Sequence, residues 1–401
     1  MNYVIVGGWA AGIAAAQQLR RLEPLSTVTI VDTEPVPYYA RPDLIDYIAG
    51  RKTKDLLPMH DTHWYMQNGF ALLSGQTVTA IDVSGHRCIL NDGSDLKYDR
   101  LLLSAGASPF IPPLPGVTQS RVLALRTLAD ADKLLAWIAP GANAVVVGGG
   151  VLGLEAARAI TERGMTASVI EYAPHLLPHQ LDDFSAAMLD ERLQSFGITT
   201  LLNAESQEVL TGDRGATGIL LKNGRSVRGD FVLFSTGVRP NIAIARDAGL
   251  AVGKGVQVDD TMQTSAPDIY AAGDIAEHRG RVYGIIPPCL EQAKIAAQNM
   301  VKPGSAQYAG SIMSNSLKVV GLEVLSMGNI NPGINLNADE IVAHNHESYR
   351  KVVLEAGIIT GLILYGTTVG ARPLQQALRA HADLSLFKNE LTHIDWDFAS
   401  M

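Results

Sequence analysis

Tyr3-Val4-Ile5-Val6-Gly7-Gly8-Trp9-Ala10-Ala11-Gly12 and Ala144-Val145-Val146-Val147-Gly148-Gly149-Gly150-Val151-Leu152-Gly153 are one local pattern written twice in a chain of 401 residues. Each is an apolar run that feeds a glycine turn and then a stretch of helix formers. In the first copy these are Ala14, Ala15, Ala16, Gln17 and Leu19, and Pro24 stops the helix. An acidic residue closes the next apolar run each time: Asp32 after residues 28–31, and Glu171 after residues 168–170. In such a unit the first glycine permits a tight turn, the second lets a pyrophosphate approach the backbone, and the third lets helix pack on strand. The helix N-terminus offers unpaired N–H groups to the phosphates, and the acid takes the ribose hydroxyls. Two dinucleotide-binding units in one chain usually serve hydride transfer between two dinucleotides.

The second unit has every part: Gly148, Gly150 and Gly153, then Val151 and Leu152 opening the helix, then Glu171. A carboxylate there bonds a free 2′-hydroxyl and repels a 2′-phosphate. Tyr172 and Ala173 follow it, not arginines. NADH is therefore expected over NADPH. The first unit departs from the pattern, because Trp9 stands at the second glycine. Its side chain must point away from a pyrophosphate, with Gly8, Ala10 and Ala11 as small neighbours in compensation.

Composition narrows the classes. Net charge is -8, so nucleic acid is not an expected partner. Hydrophobic residues make up 47% of the chain, enough for buried parallel strands, and the length predicts two or three compact units. No signal peptide and no bilayer-length apolar run are visible, so a cytoplasmic protein without a membrane partner is expected. Cys88 and Cys289 are the only cysteines and form no Cys-x-x-Cys pair.

Further landmarks lie between and after the two units. Residues 101–104 run into Ala105-Gly106-Ala107, and residues 231–235 into Thr236-Gly237. Residues 34–42 are irregular and proline-rich, and 109–116 read as a linker. Gly273-Asp274 follows an apolar strand. It is either an ordinary turn or a carboxylate placed for the ribityl chain of a flavin. Pro288, after Pro287, sets up a predicted helix over 290–300 whose N-terminus could face a flavin ring. From 311 onward the texture is short β runs (317–320, 324–327, 351–354, 358–365) and a last helix over 374–382.

The predicted fold is α/β. Two Rossmann-like, doubly wound domains are expected, with a small α+β C-terminal domain over 311–401. The first dinucleotide domain is split between 1–107 and 240–310, and the second occupies 108–239.

The ordered set of motifs resembles the pyridine nucleotide–disulfide oxidoreductase superfamily. That set is the glycine turn with Asp32, Ser104-Ala105-Gly106, the second turn with Glu155 and Glu171, Ser235-Thr236-Gly237, and Ala272-Gly273-Asp274. Within it the chain is most similar to NADH:rubredoxin reductases and nitrite-reductase-type NADH oxidoreductases. The stretch Tyr39-Ala40-Arg41-Pro42 resembles their Tyr-x-Arg-Pro segment near the flavin. The resemblance implies that Arg41 neutralises phosphate or ring charge and that Glu155 lies near the nicotinamide. It implies FAD and NADH as cofactors, a flavin site that includes Thr33, Pro42, Val78, Ser104, Ala105 and Gly106, and a C-terminal interface domain in a monomer or homodimer. Thr236 and Gly237 belong on the NAD side.

The disulfide-reducing members carry cysteines just after the first unit, where this chain has Arg41, Pro42 and Asp43. No thiolate is available there, so electrons must leave the flavin directly. A small electron-carrier protein, rubredoxin- or ferredoxin-like, is the expected partner. An oxygen-using NADH oxidase and a slow flavin-bound signalling module are the alternatives.

Other residues are read as structural. Cys289 reads as packing, and Cys88, in an expected hairpin strand, is assigned no role. His344 and His346 would share a strand face, but two ligands do not make a metal site. His175 and His179 either line the adenine end of the NADH site or cap a loop. Trp64 and Tyr65 read as core.

Overall fold

The computed structural model describes residues 1–312, 314–333 and 337–399, with backbone alone for 314–319. The chain divides into two compact units. One is Met1–Pro109, Arg126–Leu128 and Val238–Ser311; the other is Phe110–Leu125, Ala129–Gly237 and Ile312–Met401.

The first unit is built on the strand Asn2–Val6, buried from Tyr3 onward. It pairs in parallel with Thr27–Asp32 on one side and Arg100–Leu103 on the other. Phe70–Ser74 and Ile269–Ala271 complete a five-stranded sheet. Near-continuous apolar strands suit a parallel sheet covered on both faces. The helix Ala10–Leu22 packs against the helix Ile286–Val301, and both bury alanines at their contact faces. Strand order reverses across Asn2–Val6, the switch point at whose carboxyl-end turns doubly wound sheets bind their ligands.

The second unit repeats this plan. Asn143–Val147 is flanked in parallel by Thr166–Ile170 and Phe231–Phe234, with Ile198–Leu201 and Val122–Ala124 outermost. The fifth strand differs in origin. In the first sheet it comes from late in the chain, and in the second it precedes the glycine turn. The segment after 312 has its own antiparallel sheet of five strands and its own core, with Leu374, Ala377 and Leu378 of the helix Ala371–Ala380 buried in it. By its contacts it groups with residues 129–237 in one unit.

Two local expectations are corrected and one unforeseen element is added. The helix predicted over 290–300 begins at Ile286, with Pro287 and Pro288 inside its first turn. The N–H groups that proline lacks are unpaired there in any helix. A helix Asp43–Ala49 follows directly on the proline-rich stretch, with Pro42 at its N-cap. His344 ends the strand Ala338–His344, while His346 lies in the turn beyond it, so the two do not share a strand face. Among the described residues no helix is long and apolar enough to cross a membrane.

Candidate functional site

The two glycine turns have nearly the same backbone. Gly7 and Gly148 lie at φ 107° and 115°, a region closed to most side chains. A Cβ at Gly7 would overlap the Ser104 carbonyl, and one at Gly148 the Ser235 carbonyl. A Cβ at Gly12 or Gly153 would strike the carbonyl of Gly7 or Gly148, so helix and strand meet at bare backbone. Ser104 Oγ ties the first turn by donating to the Gly7 carbonyl at 2.8 Å.

The two acids act alike in the free loops. Asp32 Oδ2 accepts from the Gly8 N–H at 2.6 Å and Oδ1 from the Glu34 N–H at 2.8 Å. Glu171 Oε2 accepts from Gly149 at 2.5 Å and Oε1 from Ala173 at 2.7 Å. Each carboxylate therefore braces its own glycine turn, a role that motif spacing alone does not disclose. Burial pushes the Asp32 carboxyl up, against the two N–H bonds that favour its charged form.

The helices behind both turns begin uncapped. Neither Trp9 nor Gly150 supplies a side-chain cap, and neither first turn holds an acid. By contrast, the helix Asp183–Ser195 has a full capping box from Asp182 and Ser185. The turns thus keep unpaired N–H groups and a partial positive charge, a ready anion site. At Gly150 a Cβ would meet nothing within 4 Å, so there is room for a phosphate beside the backbone. These residues fit dinucleotides at both turns.

Around the first turn, Arg41 pairs with Glu34 at 2.9 Å, donates to the Arg126 carbonyl and lies over the Trp9 ring. Burial, then the charge of Arg126, lowers its proton affinity. Arg126 meets Asp274 at 3.4 Å, and Asp274 also accepts from Cys289 Sγ at 3.3 Å. Gly273 N–H donates to Gln292 Oε1 at 3.0 Å, and the Ala105 carbonyl accepts from Asn241. Pro288 is buried in the first turn of its helix. Thr33 accepts from the Thr77 hydroxyl at 3.2 Å, while Val78 sits in the core of the unit at the start of an antiparallel strand. Arg126 and Gln292 carry no signal in the sequence. Arg126 lies far from any glycine turn, and only the fold brings residues 126–128 into the first unit.

Around the second turn, Glu155 accepts from the Val320 N–H at 2.5 Å and so holds the turn between Ser314–Val319 and Leu322–Gly328. The Thr236 hydroxyl donates to the Phe110 carbonyl, and the Gly237 carbonyl accepts from Phe110 N–H. Tyr172, next to Glu171, is 73% exposed. His175 bonds the Leu176 carbonyl and approaches Asp183 at 3.6 Å. Tyr65 is buried, and Trp64 stacks on His60.

Both cysteines are free and buried in the first unit. Burial pushes the Cys88 thiol up to about 12. Burial, then the Asp274 carboxylate, pushes Cys289 higher still. Neither forms a reactive thiolate near neutral pH. No group of residues that could hold a metal occurs among the described residues.

Two matched nucleotide units with a third sheet define a class of two-dinucleotide oxidoreductase. Residues 1–309 match the pyridine nucleotide-disulphide oxidoreductase family, and residues 314–382 match the rubredoxin NAD+ reductase C-terminal domain. The chain belongs to that pyridine nucleotide-disulphide oxidoreductase family. It is 36% identical over 383 residues to a nitrite reductase (NAD(P)H) of Bacillus subtilis, covering 95% of this chain and 48% of that protein. It is 30% identical over 328 residues to the NADH-rubredoxin oxidoreductase of Clostridium acetobutylicum, covering 82% and 81%. The solved structure of an NADH:rubredoxin oxidoreductase from that organism matches with a TM-score of 0.81 at 26% identity, covering 96% of each chain. The chain spans half or less of the length of the nitrite reductases it matches.

Proposed function

We propose that this chain is an FAD-dependent NADH oxidoreductase that passes electrons from NADH to a small electron-carrier protein of the rubredoxin or ferredoxin kind. The observation that carries the reading is the duplicated turn: uncapped, braced by its own carboxylate, and shaped for a dinucleotide in both units.

On this reading FAD would be held by the turn 7–12, with Asp32 and Thr33 toward its ribose, Arg41 and Pro42 toward its phosphates, and Asp274 toward its ribityl chain. NADH would be held by the turn 148–153 with Glu171 on its ribose. When bound, FAD accepts a hydride and can release the two electrons singly. The chain's own contribution is alignment and exclusion of water. No side chain is required to move a proton in the NADH half-reaction, and Glu155 is already committed to the Val320 N–H. Asp274 pairs with the Arg126 guanidinium through one oxygen and accepts from the Cys289 thiol on the other, so its orientation is fixed by the fold itself. Both thiols are buried, and burial raises their proton affinity, which favours electrons leaving without thiol exchange. The match to a rubredoxin reductase C-terminal domain supports a protein acceptor.

The test is turnover with defined acceptors. The FAD-loaded protein should oxidise NADH slowly alone and many-fold faster when rubredoxin or ferredoxin is added. Rapid NADH consumption in air with no carrier would assign oxygen as the acceptor. Slow turnover with every acceptor would assign a binding role.

A further inference from the structure

Trp9 is the one residue of the first turn that the dinucleotide pattern does not account for, and the role assigned to it rests on the reading that this turn takes FAD. Its backbone is extended, φ −95° and ψ −164°, close to the −80° and 176° of Gly150 in the second turn. Any residue adopts this conformation, so the choice of tryptophan is a matter of its side chain. The indole carries the Arg41 guanidinium on its face at 3.8 Å. Its other contacts are edge-on, to Tyr39 at 4.4 Å and Tyr38 at 5.7 Å. Glu34 and the Arg126 carbonyl fix the edge of the same guanidinium. Tyr39 locks Glu34 in turn, donating to it at 2.8 Å.

A guanidinium stacked flat on tryptophan keeps its edge donors available for an oxyanion. Two of the five donors of Arg41 are used, and the others make no hydrogen bond among the described residues; the side chain is 23% exposed. We propose that Trp9 is a positioning residue that holds Arg41 beside the first turn. The first site then reads dinucleotide phosphate through a stacked arginine, where the second site reads it through bare backbone at Gly150. Restoring the missing glycine should therefore weaken the first site.

The experiment titrates FAD into the flavin-free full-length chain, following flavin fluorescence at low and high salt. Trp9→Gly should weaken FAD about tenfold, the size of a partly buried cation–π contact. Its salt dependence should fall to that of Arg41→Ala, because the screened charge is no longer in place. Trp9→Phe should recover most of the affinity. Arg41→Lys, which keeps charge but not the flat stack, should recover less. Adding Trp9→Gly to Arg41→Ala should cost nothing more. The assignment is overturned if Trp9→Gly binds FAD as tightly as the natural chain with unchanged salt dependence, or if the two penalties simply add. A natural chain that binds no FAD overturns the flavin reading and the role of Trp9 together, whereas normal binding by the natural chain and by Trp9→Gly removes only the latter. If Trp9→Gly fails to fold, Trp9→Phe and Arg41→Lys decide: equal affinity in both contradicts the stack.

Discussion

The first and second nucleotide turns share backbone, sheet order and carboxylate brace, yet differ at the pattern's second glycine: Trp9 in one, Gly150 in the other. The comparison separates two reasons for glycine that a motif merges. Gly7 and Gly148 are demanded by torsion and by an overlapping carbonyl, so both copies keep them. Gly150 is demanded by neither, since its torsions are ordinary and the space around it is open. A site that finds another way to meet phosphate can replace that glycine, and on our proposal the first unit does so with the arginine that lies over Trp9.

The largest effect is expected where torsion and packing both forbid a side chain. Gly148→Ala should cost the second unit about 3 kcal/mol or more and abolish NADH binding, while FAD binding by the first unit persists. Calorimetric unfolding together with separate FAD and NADH titrations checks this. Loss of both ligands at once would show that the units do not act separately.

Next come the braces. Asp32→Asn and Glu171→Gln each weaken a charge-assisted acceptor for two backbone N–H groups, worth about 2 kcal/mol in denaturant unfolding. Glu171→Gln should also narrow the preference for NADH over NADPH, read from kcat/KM with each. An unchanged ratio would place the nicotinamide choice elsewhere.

Alkaline pH should act on the first unit through its buried Cys88 thiol. Cys88 has its pKa raised to about 12 in the fold from an ordinary value near 9. The folded state thus holds its proton longer than the unfolded state. The stabilisation is full below pH 9 and is lost as pH rises toward 12, by about 1 kcal/mol per pH unit. Cys88→Ala should flatten that slope in unfolding measured between pH 8 and 10. An identical slope would contradict it.

The smallest effect is expected at Gly150. Gly150→Ala should leave stability unchanged or raise it by about 0.5 kcal/mol while weakening NADH several-fold. A clear drop in melting temperature would show that this glycine is structural after all.

Much of this is legible in the sequence because the turns are local. Apolar strand, glycine turn, small-residue helix and acid all lie within a short span, and the structure places them as a unit twice. Features assembled from distant segments are not legible. Arg126 reaches Asp274 only because residues 126–128 join the first unit, and the Val320 turn reaches Glu155 only through the C-terminal sheet. The strand Ala338–His344 escapes a sequence reading because Asp339 and Glu340 are exposed charges and Val342 is an exposed apolar residue, so polarity does not alternate with burial. The braces at Asp32 and Glu171 escape it for another reason: the ribose reading leaves no place for an acid that bonds its own turn. The helix start at Ile286 is hidden by two prolines, which read as a stop yet are at home in a first turn.

The most direct measurement is an anaerobic titration of the FAD-loaded protein with NADH, followed by the flavin absorption and by a thiol count. One equivalent of NADH per flavin should bleach the yellow completely, with no change in reactive thiols. A flavin that stays yellow, or one that needs a second equivalent while new thiols appear, would contradict electron transfer from NADH to FAD without a thiol relay.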